Sequence, residues 1–330
     1  MIVFVTGGTG LVGSHTIQLL SRQGHSIQAL VRDQAGRILV EKLGAKAVYG
    51  SVEDPQAWTA AIGADAIVHS AAVITTRRSW ATFQAINIDG ARNAALAAAR
   101  TGIRLVHISS VAVYGRGAGF GAAHIDENTQ LAELSTDEFY ALSKRRAEEA
   151  VFAIAKESGI SAVALRPCVI YGERDRTFLP HVVRVQKLGF APLIGSGTNS
   201  LSIVYAGNVA DAVLAALEHP EAEGPFNVTN DGDVTQRAFF TAVGSALRKP
   251  TLFLRIPAPA ALAVTAAGHW LRHLVSPDKY AGFGASAVKF LSKSNPYVSD
   301  RAQRDLGWKP TTLPEDAIAR SVRWFNDSLQ

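Results

Sequence analysis

A short apolar run and a glycine-rich turn open the chain: Ile2-Val3-Phe4-Val5-Thr6-Gly7-Gly8-Thr9-Gly10-Leu11-Val12-Gly13. The run Ile2–Val5 predicts a buried β-strand, and the residues after Gly10 have the pattern of an amphipathic helix. Two glycine spacings coexist, Gly8-x-Gly10-x-x-Gly13 and Gly7-x-x-Gly10-x-x-Gly13. Glycine lets the backbone approach a pyrophosphate, and a helix N-terminus offers free N–H groups. We therefore expect this loop to bind a dinucleotide through Gly7, Thr9, Gly10, Leu11, Val12 and Gly13.

The first 170 or so residues alternate β-branched runs with alanine-rich stretches of helical period, which is typical of βαβ units and a parallel sheet. The predicted strands are Ile2–Val5, Ser26–Val31, Ala47–Tyr49, Ala66–His69, Arg104–Ile108 and Ala162–Leu165. The predicted helices are Leu11–Gln23, Asn87–Thr101 and Asp137–Ser158. This order predicts an α/β fold, a doubly wound parallel sheet of the Rossmann type with a smaller, mainly helical C-terminal lobe.

The alternation weakens after Gly172, where Pro and Gly become frequent. We expect residues 1–172 to form the dinucleotide-binding Rossmann domain, with returns to the sheet around residues 201–229. Residues 173–200 and 230–330 are expected to form the substrate-binding lobe.

The composition is that of a globular protein, with 48% hydrophobic and 18% charged residues. Lys and Arg number 33 against 28 Asp and Glu, a net charge of +5, and the basic residues are scattered, so we expect no nucleic-acid partner. The single cysteine, Cys168, excludes an internal disulfide framework and a Cys-rich metal site. We expect no metal site and a reducing, cytoplasmic location.

No leader-like segment precedes the first strand, so a secretory signal is not expected. The longest apolar stretch, Ala258–Val275, contains His269, Arg272 and His273. It falls short of the ~20 clean apolar residues that cross a bilayer. We expect no transmembrane span and a buried or cleft-lining helix, with weak peripheral membrane contact as the alternative.

Three side chains are candidates for acid–base chemistry. Tyr140 and Lys144 stand four residues apart in a predicted helix, which places the phenol and the ammonium on one face. A nearby cation is expected to bring the pKa of a phenol down toward neutrality. Ser110 follows the strand Arg104–Ile108, so its hydroxyl is expected at the ligand-binding edge of the sheet. The competing hydroxyl, Ser109, is interpreted as a strand-end or capping residue.

The second strand ends at Val31-Arg32-Asp33, where the adenosine ribose of a bound dinucleotide is expected. Arg32 can pair with a 2′-phosphate and stack on adenine, whereas Asp33 falls beyond the position of the usual acidic residue. This pattern favours NADP over NAD.

Further segments follow in an order that is similar to one family. They are His69-Ser70-Ala71-Ala72, Asn87, Ser109–Gly115, Tyr140–Lys144, Leu165–Gly172, Tyr205–Asn208 and Asp305–Pro310. With Thr6–Gly13 they resemble the extended short-chain dehydrogenase/reductases of the NAD-dependent epimerase/dehydratase superfamily, nearest the 3β-hydroxysteroid dehydrogenase-like branch.

The resemblance implies a catalytic triad of Ser110, Tyr140 and Lys144, with Lys144 also binding the nicotinamide ribose. It implies that Ala71 and Ala72 pass under the cofactor, that Asn87 supports a neighbouring helix or an active-site water, and that Pro167 and Val169 touch the nicotinamide. The family's usual acidic residue after the third strand is replaced by Ser51, followed by Val52, which weakens the adenine assignment there.

Three functions compete. The favoured one is an NAD(P)-dependent oxidoreductase that interconverts a ketone and a secondary alcohol on an apolar substrate, steroid-like, β-keto or aromatic. The alternative is a nucleotide-sugar epimerase, which would need a cation for the diphosphate: Ser200–Tyr205 has none, though Arg174, Arg176 or Arg184 could substitute. Val111 and Ala112 stand where related dehydratases carry an acid pair. A silent cofactor sensor is disfavoured because all three catalytic side chains are present.

The sequence also bears on the substrate and on assembly. Leu252-Phe253-Leu254 and Ala260–Val275 suit an apolar pocket wall, although a plain second core fits them equally. The resemblance implies a homodimer through the helices Asn87–Thr101 and Asp137–Ser158.

Overall fold

The structure is a computed structural model that describes residues 1–74, 78–115, 124–229, 232–265 and 285–327. Its strands are β1 Ile2–Thr6, β2 Ser26–Val31, β3 Ala45–Tyr49, β4 Ala66–His69, β5 Arg104–Ile108, β6 Ala162–Pro167, β7 Val169–Tyr171, β8 Phe190–Ile194, β9 Ile203–Tyr205, β10 Gly224–Val228 and β11 Leu252–Ile256.

The helices described in the first three-quarters of the chain are α1 Leu11–Arg22, α2 Gln34–Lys42, α3 Trp80–Phe83, α4 Gly90–Thr101, α5 Phe139–Ser158, α6 Leu179–Gln186, α7 Ala206–Glu218 and α8 Gln236–Ala246. Later helices are Ala285–Ser292, Asp300–Asp305 and Pro314–Asp327, and residues 258–265 are also helical. A π-helical turn, Gln84–Asp89, joins α3 to α4, and 3₁₀ turns cover Pro55–Ala61 and Val111–Tyr114.

Seven parallel strands form the central sheet in the order β10-β6-β5-β4-β1-β2-β3. One face packs against α1 and α7, where Ile17 and Val213 belong to the core, and the other packs against α4 and α5, where Ala94 and Val151 do. The predicted doubly wound α/β fold is confirmed. Because all strands run the same way, their carboxyl ends meet at one edge of the sheet.

A second layer of structure lies beyond the sheet. It contains two separate pairs of parallel strands, β7 with β9 and β8 with β11, around a core that includes Tyr171 and Phe239. β10 joins the central sheet, but β9 pairs with β7 instead of returning to it, which differs from the expectation for residues 201–205. The register Val169↔Ile203 aligns these two short strands beside the carboxyl edge of β6.

The long apolar stretch Ala258–Val275 is described as far as residue 265, and the rest of it lies outside the described residues. In the described part Ala261 is buried, but Leu262 and Val264 are 37% and 71% exposed, so the predicted burial is not found there. Within the ranges given above, no helix is both long enough and apolar enough to cross a membrane.

Two segments that are about a hundred residues apart in the chain meet at α7. The Asn208 side chain accepts hydrogen bonds from the backbone N–H groups of Thr311 (3.2 Å) and Thr312 (3.0 Å) and donates to the Thr312 carbonyl (3.0 Å). The Trp308 indole donates to the Asn208 carbonyl at 2.9 Å. Both side chains are buried. The segment before the last helix is therefore tied to α7, which itself packs on α1.

We expect Asn208→Ala to destabilise the fold by about 2 kcal/mol, because it removes three hydrogen bonds to partly buried backbone groups of Thr311 and Thr312. A lower Tm in thermal unfolding would show this. Gln130→Ala, at an exposed loop position, is the control and should change stability by less than about 0.5 kcal/mol. Equal Tm values for the two variants would contradict the anchoring role of Asn208.

Candidate active site

The glycine loop after β1 is packed too tightly for larger residues at two positions. Gly7 has a φ of +70°, and a Cβ built there would lie 2.5 Å from the backbone nitrogen of Ala71. A Cβ at Gly13 would overlap the carbonyl oxygen of Gly7. These contacts follow the spacing Gly7-x-x-Gly10-x-x-Gly13. The loop therefore lies directly against the segment that follows β4, where Ala71 and Ala72 were expected to pass under a cofactor.

The N-terminus of α1 has the form of an anion site. Its cap residue is Gly10, in extended conformation, and no side chain caps this end. The first turn, which begins Leu11-Val12, carries no acidic residue, so no carboxylate there offsets the positive end of the helix dipole. Thr9 lies close to α2, because its methyl group would be 3.3 Å from a Cβ built at Gly36. A dinucleotide pyrophosphate fits this cradle.

The ends of β2 and β3 border the same loop. Arg32 is exposed, whereas the carboxylate of Asp33 caps α2 by accepting a hydrogen bond from the Gly36 N–H at 2.7 Å. Ser51 donates to the Glu53 carboxylate at 3.0 Å. Val52 is buried, and its carbonyl accepts hydrogen bonds from the side chains of Trp58 and Asn93. Val52 is therefore packed in the core, and Asp33 is already engaged in the fold.

Ser110 and Tyr140 come together at the carboxyl edge of β5. Ser110 caps the turn Val111–Tyr114 by accepting a hydrogen bond from the Ala112 N–H at 3.2 Å. Burial raises the pKa of Tyr140, and a hydrogen bond from the Ser110 hydroxyl partly lowers it again. Of the two interpretations of Ser109, the strand-end one agrees with the structure, because its N–H donates to the Leu165 carbonyl on β6 at 2.7 Å. The cap is Ser110, while Ser109 is buried and its hydroxyl has no partner among the described residues.

Lys144 lies one helical turn after Tyr140, and 3% of its surface is exposed. Its ammonium donates to the Ile108 carbonyl oxygen at 2.7 Å. Burial lowers the pKa of Lys144 to about 8, and the Glu148 carboxylate acts in the opposite direction. The expected lowering of the pKa of Tyr140 by this cation is not found, because the ammonium is directed at Ile108 and burial of the phenol dominates.

Asn87 lies in the π-helical turn before α4 and links three segments. Its amide accepts a hydrogen bond from the Val73 N–H (2.7 Å) and donates to the Val73 carbonyl (3.0 Å) and to the Ser143 hydroxyl (2.9 Å). The extra residue of a π turn re-aims a side chain, and such turns are common at functional sites. Asn87 thus ties α5, one residue before Lys144, to the segment after β4.

Two histidines that sequence reasoning did not assign lie beneath Lys144. His69 and His107 are opposite each other in the register of β4 and β5, and their rings stack with centroids 5.4 Å apart. Thr6 bonds one nitrogen of His69 at 2.8 Å. Burial, followed by the charge of Lys144, lowers the pKa of His69 to about 3 and that of His107 well below its ordinary value. Both rings are therefore neutral at physiological pH.

A buried ion pair behind the site was also missed. The guanidinium of Arg166 on β6 binds both carboxylate oxygens of Glu148 on α5, with the shortest bond at 2.6 Å. Arg166 also donates to the Tyr114 hydroxyl at 3.0 Å, and that hydroxyl donates to Asn227 on β10 at 2.9 Å. The spacing of four between Lys144 and Glu148 was a signal that Glu148 shares the helix face of Lys144, but not that it pairs with Arg166.

The two residues expected to touch the nicotinamide lie where β6 ends and β7 begins, and the three arginines considered for a diphosphate lie elsewhere. Pro167 ends β6 in the core, and Val169 begins β7 with 36% of its surface exposed. Arg174 is held on α1, where it donates to the Ser14 hydroxyl at 2.8 Å and lies 3.4 Å from the Gln18 side-chain oxygen. Arg176 and Arg184 are exposed.

Comparison with known proteins agrees with this geometry. The chain is 29% identical over 310 residues to a 4-hydroxy-2-methyl-3-oxo-4-farnesyl-3,4-dihydroquinoline-1-oxide ketoreductase of Stigmatella aurantiaca, covering 93% of this chain and 92% of the relative. It is 26% identical to a 3-beta-hydroxysteroid dehydrogenase of Mycolicibacterium neoaurum, covering 98% and 91%. The resemblance to the 3β-hydroxysteroid dehydrogenase-like branch is confirmed by such relatives.

Among solved structures, the UDP-glucuronic acid 4-epimerase from Bacillus cereus in complex with NAD has the same fold, with a TM-score of 0.75, 17% identity and complete coverage of both chains. Residues 3–230 match the NAD dependent epimerase/dehydratase family, which is more than half of the chain. Together with the glycine cradle, the Ser110–Tyr140 contact and the buried Lys144, this match shows that the chain belongs to the NAD dependent epimerase/dehydratase family.

Proposed function

We propose that the protein is an NADP(H)-dependent oxidoreductase that interconverts a ketone and a secondary alcohol on an apolar substrate. The observation that carries this proposal is the contact between Ser110 and Tyr140 at the carboxyl edge of the sheet, with the Lys144 ammonium buried one turn away. Carbonyl reduction requires an acid, a donor that binds the carbonyl oxygen, and a cation. Tyr140, Ser110 and Lys144 can provide these three functions in that order.

Each residue has a defined role in the proposed reaction. When bound, the nicotinamide supplies or accepts the hydride. Ser110 and Tyr140 donate hydrogen bonds to the carbonyl oxygen, and Tyr140 transfers its proton to that oxygen as negative charge develops there. Lys144, whose ammonium donates to the Ile108 carbonyl in this structure, would have to turn toward Tyr140 to stabilise the tyrosinate that remains. Burial raises the pKa of Tyr140, so its phenol is protonated at neutral pH and can act as the acid of the reduction, while the reverse oxidation needs the phenolate.

Two observations support an apolar substrate over a sugar nucleotide. A diphosphate buried without a cation is costly, yet Arg174 is engaged by Ser14, and Arg176 and Arg184 lie exposed. The lobe beyond the sheet has an aromatic core that includes Phe178, Phe239 and Phe290. The Stigmatella ketoreductase, similar over nearly the whole chain, is named for a farnesyl-bearing ketone.

Three further expectations belong to this proposal. Residues 1–172 with the return at β10 would form the cofactor domain, and residues 173–200 and 230–330 the substrate lobe. The adjacent helices α4 and α5, with Leu96 exposed on α4, would form a homodimer interface. The location would be cytoplasmic, with weak peripheral membrane contact as the alternative.

The substrate class is tested by a panel of 3-keto steroids, β-keto acids, aromatic ketones and UDP-sugars, followed by NADPH absorbance and, for the UDP-sugars, by product analysis. We expect Tyr140→Phe to lose at least about 100-fold in turnover of the best ketone, because the proton donor is removed. NADPH binding, measured by fluorescence, should remain close to that of the wild type. Wild-type turnover by Tyr140→Phe, or turnover of UDP-sugars alone, would refute the proposed function.

The preference for NADP rests on Arg32, which is exposed beside the loop, and on Asp33, whose carboxylate is occupied at the cap of α2. We expect Arg32→Ala to weaken NADPH binding about ten-fold or more, since a charge-assisted contact to the 2′-phosphate is lost, and to change NADH binding little. Titration of both cofactors measures this. Arg22→Ala, exposed at the far end of α1, is the matched control. Equal losses for the two cofactors would exclude the NADP assignment.

A further inference from the structure

We propose that Glu148, held by Arg166, is a positioning residue that supplies the counter-charge for Lys144 and keeps its ammonium protonated beside the active site. The role in turnover rests on the proposed oxidoreductase function, whereas the electrostatic coupling is a property of the fold alone.

The geometry places Glu148 where a counter-ion for Lys144 belongs. Tyr140, Lys144 and Glu148 follow each other at intervals of four in α5, so they share one face of the helix. The exposed fractions of Lys144 and Glu148 are 3% and 5%, so little water screens their interaction. The bidentate contact with Arg166 fixes the carboxylate, with Nε at 3.0 and 3.2 Å from its two oxygens.

The remaining groups around Lys144 are neutral. Ile108 on β5 offers a carbonyl oxygen, and the rings of His69 on β4 and His107 on β5 interact with the ammonium as uncharged groups. Tyr140, on the same helix, is protonated at neutral pH. Among the described residues, Glu148 is thus the anionic group that acts on Lys144 and opposes the effect of burial.

Arg166 has two separable effects. Its positive charge offsets part of the field of Glu148, so it works against protonation of Lys144. Its contacts with Glu148 and with the Tyr114 hydroxyl also join α5 to the turn that Ser110 begins. A purely structural ion pair would make the loss of either partner harmful in the same way. An electrostatic role requires the two losses to move the protonation of Lys144 in opposite directions.

The experiment titrates Lys144 by NMR in protein labelled at the lysine side-chain nitrogens, with Lys144→Met identifying its signal. We expect a pKa near 8 in the wild type, at least one pH unit lower in Glu148→Gln, and at least half a unit higher in Arg166→Met. Removing an anion disfavours the charged amine, and removing a cation favours it. Glu149→Gln, the same change one residue along on the exposed side of α5, should leave the pKa within a few tenths of a unit.

The pH profile of ketone reduction provides the second readout. The pH at which kcat falls on the alkaline side should follow the pKa of Lys144. We therefore expect kcat to fall at a lower pH in Glu148→Gln and at a higher pH in Arg166→Met. Because Glu148→Gln leaves Arg166 unpaired, the double variant Glu148→Gln/Arg166→Met is included as a form that lacks both charges of the ion pair, and its Lys144 pKa should lie between those of the single variants.

Shifts in the same direction for both single variants, or a Glu148→Gln shift no larger than that of Glu149→Gln, would overturn the proposal. Opposite shifts in the NMR titration without a matching change in the kinetics would leave the coupling intact and count against the proposed function. The Tyr140→Phe result separates these two cases.

Discussion

An ammonium group enclosed in a protein interior is unfavourable unless acceptors replace its water. In this structure the Ile108 carbonyl accepts a hydrogen bond from Lys144, and Glu148, one turn later in α5, balances its charge. This requirement fixes both the height and the rotation of α5 against the sheet. Tyr140, one turn earlier on the same face, is therefore carried to the carboxyl edge of β5, where Ser110 meets it. The position of the phenol follows from the burial of the lysine.

The cofactor cradle depends on close backbone contact. Gly7 lies against Ala71, and Gly13 lies against Gly7, so the loop after β1, the start of α1 and the segment after β4 form one rigid corner. Asn87 connects that corner to α5 through Val73 and Ser143. The proposed phosphate-binding and proton-transfer parts of the site are consequently held in one frame, and a fixed distance between them is what hydride transfer to an oriented carbonyl needs.

Local pattern predicted much of this arrangement. The strands of the sheet were placed to within a few residues, because buried parallel strands are short apolar runs. The spacing of Tyr140 and Lys144 placed both on one helix face. Helix α2 was not among the predicted helices, because its sequence buries little apart from Gly36 and Val40.

The features that pattern alone could not supply are contacts between distant parts of the chain. Arg166 and Glu148 come from a strand and a helix, and their pairing depends on how α5 lies over β6. The raised pKa of Tyr140 depends on burial, which sequence spacing does not reveal. The role of Ser110 as a cap depends on the turn that follows β5, and the separate pairing of β9 with β7 depends on the path of the second lobe.

The attachment of Trp308 and Thr312 to Asn208 has a consequence for how damage spreads through this protein. Helix α7 lies against α1, whose first turn forms one wall of the nucleotide cradle, so the last fifth of the polypeptide braces a feature encoded in its first dozen residues. A substitution near the carboxyl terminus can therefore weaken nucleotide binding. If such a substitution were interpreted only by its position in the sequence, the binding defect would be attributed to the proposed substrate lobe and not to the nucleotide cradle.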